Sequence, residues 1–406
     1  MGGWQMRPLK RLISLDDAMS LTIKNCKQVV RAEKVRILEA NGRVSAEKVV
    51  SDLSVPPFSR SAMDGYAVRA KDTFGASKLR PVRLRMREAI FAGGVPKQPV
   101  GKGECSEIAT GAMLPKGADA TVMVENTESD SGTILVYDSV HPGQNVSGKG
   151  EDISPGTVVV SKGDVLNPSR IGALAAIGRG DVKVFSKPLV CVVPTGNEIR
   201  ELGGPLSPGQ VYNINSYTLT TVLTSCGAEV RTLPVVGDTV SELERVLKDN
   251  GDCDIVVFSG GSSVGERDMM LDVVSRMGAV VFHGVAMKPG KPTLFGMVGR
   301  QMVFGMPGYP TACLSNAYVL LSPVVRRMAR LPERLPETED ARMASRVVST
   351  TGRVQFLTVR LEDGVAFPAF KESGAITSMA FADGYVLIPS DVDLIEKGEA
   401  VTVHRF

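Results

Sequence analysis

The sequence predicts a multidomain protein of mixed α/β and β structure, and three observations support this fold class. A chain of 406 residues is too long for a single hydrophobic core, which indicates several domains. Strand-like and helix-like segments alternate through residues 186–330, as they do in a mostly parallel sheet between layers of helices. Short β-type runs without a helical period occupy residues 51–152 and 331–406, which predicts β-rich domains there.

Composition excludes several classes of function. Hydrophobic residues make up 43% of the chain and charged residues 22%, as in ordinary globular proteins. The net charge is only +3, and aromatic residues are 5%, which argues against a dedicated nucleic-acid surface. The chain has no apolar run of membrane-span length and no signal-peptide core, so we expect a cytoplasmic protein without a membrane partner.

Cysteine and histidine give no sign of a metal or nucleophile motif. The six cysteines include no CxxC pair, and the three histidines lie outside nucleophile and metal-ligand patterns. Acid–base or metal chemistry would therefore depend mainly on carboxylates.

The first predicted domain is helical and discontinuous, from residues 1–50 and 153–185. Ser14, with Asp17 three residues later, resembles a helix cap, and Asn167-Pro168 precedes a second helical run, Ser169–Ile177. Residues 51–152 form the predicted β-rich insert, in which glycine and proline separate short strand-like runs. These runs are Val82–Arg85, Thr121–Val124 and Thr133–Tyr137.

Residues 186–330 form the predicted central α/β/α domain of three layers. Its expected elements are strand Leu189–Val193, a helix from Asn215 to Cys226, strand Val230–Val236, helix Ser241–Lys248 and strand Ile255–Phe258. Pro332–Pro336 resembles a linker. Residues 331–406 then form a small β-domain with runs such as Val354–Leu361 and Val401–His404.

The segment with the clearest chemistry runs from Asp254 to Ala312 and contains DIVVFSGGSSVGERD, KPGKP and MPGYPTA. A strand, a glycine-bearing loop and a helix in succession can point backbone N–H groups at an anion. Lys288 and Lys291 flank a Pro-Gly turn, which suits a fixed pair of positive charges. The simpler reading, an ordinary strand-to-helix turn, weakens when Asp268 and the lysines are added.

Two loops of this domain are expected to share one site. One follows Val193 and the other follows Phe258, and parallel sheets bind ligands beyond the carboxyl ends of their strands. Three segments outside the domain, SAMDGYAV, ATGAMLPKGADATVMVE and GQNV with GEDI, each have a plain reading as turns, loops or solvated carboxylates.

Taken in order, these segments resemble the molybdopterin molybdenumtransferase family, which includes the C-terminal domain of gephyrin. The resemblance extends over nearly the whole chain and adds PTGNEI and GQVYNINSYTL to the segments above. The chain departs from the usual family pattern at Ser59-Arg60, Asn197, Ser262 and Tyr309.

The resemblance implies that the enzyme takes adenylylated molybdopterin and molybdate, or tungstate, and releases AMP with the help of Mg²⁺. It implies four subdomains, the last of them barrel-like. It also implies a homodimer whose clefts are shared between chains, and it makes molybdopterin adenylyltransferase a candidate partner.

The resemblance also assigns site residues. The candidate catalytic residues are Asp64, Asp238, Asp268 and Glu198, of which the three aspartates are also the candidate metal ligands. The candidate substrate-binding residues are Thr110, Asp152, Thr195, Gly196, Ser259, Gly260, Gly261, Ser263, Gly265, Lys288, Pro289, Gly290, Lys291, Pro307 and Gly308.

Two other functions remain open. An adenylyltransferase built on the same α/β domain would need neither the SAMDGYAV-to-GEDI excursion nor the C-terminal domain. A non-catalytic, gephyrin-like scaffold would not need Asp64, Asp268, Lys288 and Lys291. A dinucleotide-binding dehydrogenase is disfavoured, because no GxGxxG follows Val193.

Overall fold

The computed structural model describes residues 12–260, 269–334, 337–371 and 374–406. The chain divides into two compact units. Residues 1–33 and 185–406 form the first unit, and residues 34–184 form the second. The predicted division into four domains is finer than this and stays a prediction.

Side-chain caps start several of the helices. The α-helices are α1 Leu15–Asn25, α2 Pro168–Ala176, α3 Asn215–Ser225, α4 Val240–Asp249, α5 Met269–Met277, α6 Pro310–Asn316, α7 Ser322–Met328 and α8 Thr377–Ala380. Ser14 caps α1 by accepting the amide of Asp17, as its spacing predicts, and Thr239 caps α4 in the same way. A π-helical turn, Ala317–Leu321, joins α6 to α7. Short 3₁₀ turns span Ile37–Glu39, Ala70–Thr73 and Val124–Asn126.

Among the described residues, twelve strands lie in the second unit and at its boundaries. They are β1 Ala32–Arg36, β2 Val49–Val50, β3 Arg60–Ser61, β4 Gly65–Val68, β5 Val82–Ile90, β6 Glu104–Ile108, β7 Ala120–Met123, β8 Thr127–Asp130, β9 Thr133–Val136, β10 Val146–Ser147, β11 Val158–Val160 and β12 Asp181–Phe185. Their main sheet has the order β7-β4-β6-β5-β9-β8, so strands form where the short β-type runs of residues 51–152 predict them. The helical signals expected up to residue 50 end at Asn25, because β1 and β2 follow.

The remaining strands belong to the first unit. They are β13 Leu189–Pro194, β14 Ile199–Arg200, β15 Val211–Tyr212, β16 Glu229–Thr232, β17 Ile255–Ser259, β18 Ala279–His283, β19 Met287–Lys288, β20 Leu294–Val298, β21 Gln301–Met306, β22 Thr338–Met343, β23 Val347–Val348, β24 Val354–Glu362, β25 Val365–Pro368, β26 Gly384–Ile388, β27 Leu394–Ile395 and β28 Ala400–Arg405. The elements predicted at Leu189, Asn215, Ser241 and Ile255 are all present, with small shifts at their ends.

The central sheet has the order β16-β13-β17-β21-β20-β18. The pairs β16–β13, β13–β17 and β17–β21 are parallel, whereas β20 pairs antiparallel with both β21 and β18. Alternate residues of β13 pack into two different hydrophobic clusters, one with α3 and one with α4 and α5. Val190 and Val192 pack in a cluster with Leu219 of α3, while Cys191 and Val193 pack with residues of α4 and α5. The mixed α/β class is therefore confirmed.

The C-terminal sheet closes into a barrel. Its order is β19-β24-β25-β22-β28-β26, and β26 returns to pair with β24. The predicted barrel-like β-domain is thus confirmed. Within the described parts of the chain, no helix is long and apolar enough to cross a bilayer.

Candidate functional site at the carboxyl edge of the central sheet

Three neighbouring parallel strands end level with one another. In the sheet register Pro194 lies opposite Ser259, and Ser259 lies opposite Met306. The loops that follow therefore leave the sheet side by side. They carry the predicted residues Thr195, Gly196, Gly260, Pro307 and Gly308, at the edge where sheets of this type bind ligands.

The backbones of these loops lie close together, and Gly260 has no room for a side chain. Gly260 has φ +105°, and a Cβ there would overlap the carbonyl oxygen of Thr195. A Cβ on Gly308 would come within 3.6 Å of the Gly260 Cα. The amide of Thr195 donates to the carbonyl of Ser259 at 3.0 Å. The structure thus brings together Thr195, Ser259, Gly260 and Gly308, as predicted.

A group of carboxylates adjoins Thr195. The pKa of Asp238 is raised, first by burial and then by the negative charges of Glu198 and Glu242; the Thr195 hydroxyl acts in the opposite direction. Asp238 Oδ1 and Thr195 Oγ1 are both buried, and neither is in hydrogen-bond geometry with a partner. A carboxylate that is repelled by its neighbours and has one oxygen without a hydrogen bond is suited to a cation or a hydrogen-bond donor.

The donor set fits a magnesium site only in part. Among the residues that the structure describes, no group of three or more His, Cys, Asp or Glu side chains could hold a metal ion. Oxygen ligands are the type that Mg²⁺ requires, and Asp238 supplies one unpartnered oxygen. Asp268 lies outside the described residues, so the predicted metal set of Asp64, Asp238 and Asp268 stays a prediction.

The turn between Lys288 and Lys291 is fixed by buried polar groups. Gly290 has φ +116°, and the side chain of Asn316 fills the space where its Cβ would lie. The Thr293 hydroxyl donates to the Gly290 carbonyl at 2.8 Å and lies 3.2 Å from Asn316 Oδ1. Both Thr293 and Asn316 are fully buried. This network sets the backbone from which both lysine side chains leave.

Further contacts hold the Lys288 side chain and the Lys291 backbone. Lys288 ends β19, which pairs with β24 of the C-terminal barrel, and its Nζ donates to Thr350 Oγ1 at 3.4 Å. The carbonyl of Lys291 accepts the amides of Val285 and Thr293 at 3.0 Å each. The sequence predicts the turn but not Thr293 or Asn316, whose roles follow only from contacts in the folded chain.

The start of α3 contributes two residues that sequence reasoning assigns only to a helix start. Asn215 Nδ2 donates to the carbonyl of Gly308 at 2.9 Å, which places this helix at the same edge of the sheet. Asn215 Oδ1 and Ser216 Oγ are buried without a partner. The sequence signal that could have marked these residues as part of a site is their position: two adjacent polar residues begin a helix whose buried face is otherwise apolar.

In the second unit the structure joins Asp64 and Thr110. Asp64 Oδ1 accepts the Thr110 amide at 2.7 Å and its hydroxyl at 3.0 Å. These bonds, the amide first, lower the pKa of the exposed Asp64 carboxyl. Gly65 cannot be replaced, because a Cβ there would overlap the carbonyl of Val122. Asp152 lies elsewhere in this unit, on an open groove beside α2.

Four predicted site residues lie outside the described residues: Gly261, Ser263, Gly265 and Asp268.

Comparison with known proteins gives consistent matches along the chain. Residues 13–178 match the MoeA N-terminal region (domain I and II), residues 191–327 a probable molybdopterin binding domain, and residues 340–406 the MoeA C-terminal region (domain IV). The sheet edge described above lies within the second match.

Relatives similar to this chain extend over nearly its full length. A molybdopterin molybdenumtransferase of Haemophilus influenzae is 31% identical over 97% of this chain and 99% of its own. Molybdopterin molybdenumtransferase 2 of Mycobacterium tuberculosis is 33% identical over 91% and 94%. A crystal structure of a molybdopterin biosynthesis MoeA protein from Pyrococcus horikoshii superposes with a TM-score of 0.84 at 41% identity, over 97% of this chain and 99% of that one.

Proposed function

The chain belongs to the molybdopterin molybdenumtransferase (MoeA) family, and we propose that it inserts molybdate into adenylylated molybdopterin with release of AMP. The observation that carries this proposal is the carboxyl edge of the central sheet. The loops at this edge and the lysine turn both lie within residues 191–327, which match a probable molybdopterin binding domain, and this region also carries the closely packed Gly260 and several buried polar oxygens without a hydrogen bond.

The lysine turn answers the first chemical requirement, which is to hold several negative charges together. Substrate phosphates and a dianionic oxyanion repel one another, and fixed cations reduce that repulsion. The side chains of Lys288 and Lys291 extend from a backbone turn that Thr293 holds in place by hydrogen bonds. We therefore assign them to phosphate or oxyanion, with the amides of the strand-end loops as further donors.

The carboxylates answer the second requirement, which is to hold a cation beside the phosphates. Asp238, with Glu198 nearby, and Asp268 would hold Mg²⁺, which when bound would stabilise negative charge on the departing AMP. A bound cation would also keep Asp238 ionised despite its raised pKa. Asp64, held charged by Thr110, would contribute a further carboxylate to the reaction.

The resemblance leads us to propose a homodimer in which Asp64 of one chain serves the α/β domain of the other. The oxyanion is molybdate or tungstate, since the two are alike in charge and similar in size. Tyr309, which replaces the usual asparagine, is 67% exposed at the start of α6. It is therefore a candidate residue for setting the preference between molybdate and tungstate.

The direct test is incubation of the protein with adenylylated molybdopterin, Mg²⁺ and each oxyanion in turn, with AMP measured. We expect AMP release that depends on the oxyanion and is abolished by Asp268→Asn in a folded protein. AMP release without any oxyanion would instead favour an unrelated hydrolysis. Formation of adenylylated product from ATP and molybdopterin would favour the adenylyltransferase alternative. Binding without turnover would favour a scaffold.

A further inference from the structure

The first turn of α3 buries two polar side chains whose hydrogen-bonding capacity is not used. Asn215 is 8% exposed and Ser216 is 2% exposed. The helix is held in the core by Leu219, Val222 and Leu223. The Asn213 side chain already caps it, because its Oδ1 accepts the Ser216 amide at 3.1 Å. Neither Asn215 Oδ1 nor Ser216 Oγ is therefore needed to start the helix.

The orientation of the Asn215 amide is fixed by its partner. A carbonyl oxygen can only accept, so the NH₂ group must face the Gly308 carbonyl at 2.9 Å. Oδ1 then points away from that bond and has no donor. Ser216 Oγ, one residue later, likewise has no partner. Buried polar atoms in this state are uncommon and destabilising, and two of them on adjacent residues of one helical turn point to a shared missing partner.

The chemistry of these atoms restricts what that partner is. Asn215 Oδ1 is an acceptor only, so it cannot bind an oxyanion or an ionised phosphate. Lys288 and Lys291, which are positively charged, are the residues suited to bind such anions. A ring amino or ring N–H group supplies the required donor, and the Ser216 hydroxyl can donate to or accept from a neighbouring ring atom.

We propose that Asn215 and Ser216 form a binding subsite for the amino-bearing edge of a nitrogen heterocycle in the substrate. The inference rests on the proposed function, whose substrate carries two such rings, the pterin and the adenine. In this arrangement the lysine turn binds the charged part of the substrate, while the start of α3 forms hydrogen bonds with its ring. The Asn215–Gly308 bond joins this subsite to the strand-end loops.

The test uses Ser216→Ala and Asn215→Ala, with Ser106→Ala as the matched control. Ser106 is also a fully buried serine whose Oγ has no partner, but it lies in β6 of the other unit. Each protein is titrated calorimetrically with AMP and with 6-hydroxymethylpterin, and its ligand-free melting temperature is recorded. We expect Ser216→Ala to melt at or above the wild-type temperature, because it removes an unbonded buried hydroxyl.

Both subsite variants should bind one of the two probes about tenfold more weakly, while the control binds both normally. The affected probe identifies the ring. Equal affinity of the variants and the wild type for both probes, or no binding of either probe by the wild type, would overturn the subsite. A loss that disappears when Mg²⁺ is removed would assign these oxygens to the cation and also overturn it. The proposed function is judged separately, by AMP release from the wild-type protein.

Discussion

The carboxyl edge of the central sheet and the Asp64–Thr110 pair solve the problem of holding a carboxylate in opposite ways. Asp238 is partly buried and repelled by Glu198 and has an unbonded oxygen, so its pKa is raised. Asp64 is exposed and accepts two hydrogen bonds, so its pKa is lowered. The first arrangement leaves a buried oxygen without a hydrogen bond, whereas the second is satisfied within its own unit.

This difference indicates different tasks. An unsatisfied, partly buried group gains most from a bound cation or substrate, so the sheet edge is suited to binding. A carboxylate that is kept ionised by fixed donors is ready to act on a ligand held elsewhere. Experiments that alter each carboxylate separately test whether the two have these different tasks.

The largest expected effect comes from separating the two carboxylates between chains. Asp64→Ala and Asp238→Ala should each be inactive as purified proteins. If the sites of different chains cooperate in a dimer, mixing the two variants under subunit exchange should restore about a quarter of wild-type activity. Half of the dimers would then be mixed, each with one intact cleft.

The control for this experiment is exchange between tagged and untagged wild-type chains, followed by native mass spectrometry, which shows directly whether mixed dimers form. No recovery despite exchange would place both carboxylates in the same chain. A monomer by light scattering would lead to the same conclusion.

The next effect concerns the lysine turn. Lys288→Met or Lys291→Met should weaken binding of a phosphorylated pterin by about 1–3 kcal/mol, the range for a charge-assisted hydrogen bond. Lys248→Met is the control, because Lys248 is exposed in the last turn of α4. Titration calorimetry at low and high salt measures the loss. If all three variants bind equally, the turn is an ordinary solvated loop.

Elements of the fold were more predictable than the contacts of the site. The cap at Ser14 and the apolar runs at Leu189 and Ile255 are local signals, and the elements begin where those signals predict. The strands in residues 32–50 were harder to predict, because β1 and β2 pair with β12 and β11, which lie more than a hundred residues later in the chain. Strands β20 and β21 are likewise missing from the predicted elements.

The predicted site residues came from motifs, and the structure joins several of them at one edge. The missed residues are those whose role depends on distant partners. Asn316 matters because it fills the space beside Gly290, and Asn215 because it bonds Gly308. Neither pairing can be recognised from residue type or spacing alone.

A smaller effect tests how the lysine turn is held. Thr293→Val keeps the shape of the side chain but removes the hydroxyl that donates to Gly290. We expect a loss of about 1–3 kcal/mol in the free energy of unfolding by urea, with weaker binding of a phosphorylated pterin. Thr293→Ser should retain most of both.

The matched control is Thr358→Val in β24, where the buried hydroxyl has no partner. It should be neutral or stabilising, and binding should not change. If Thr293→Val behaves like this control, the hydroxyl does not hold the turn.

The smallest effect is the difference in pH dependence between Asp238 and Asp64. The folded-state pKa of Asp238 lies above the ordinary value of 3.8, so the folded protein binds the extra proton and its stability falls as pH rises from 3.8 through the folded pKa. The folded-state pKa of Asp64 lies below 3.8, so its contribution to stability is present above pH 3.8 and is lost as pH falls through the folded-state pKa.

At neutral pH without Mg²⁺, Asp238→Asn should therefore raise the melting temperature and Asp64→Asn should lower it. Thr110→Val, which keeps the amide donor but loses the hydroxyl, should give part of the Asp64 effect. Added Mg²⁺ should raise the melting temperature of the wild type more than that of Asp238→Asn. Shifts of the same sign for the two asparagine variants would show that the two carboxylates are not held in opposite ways.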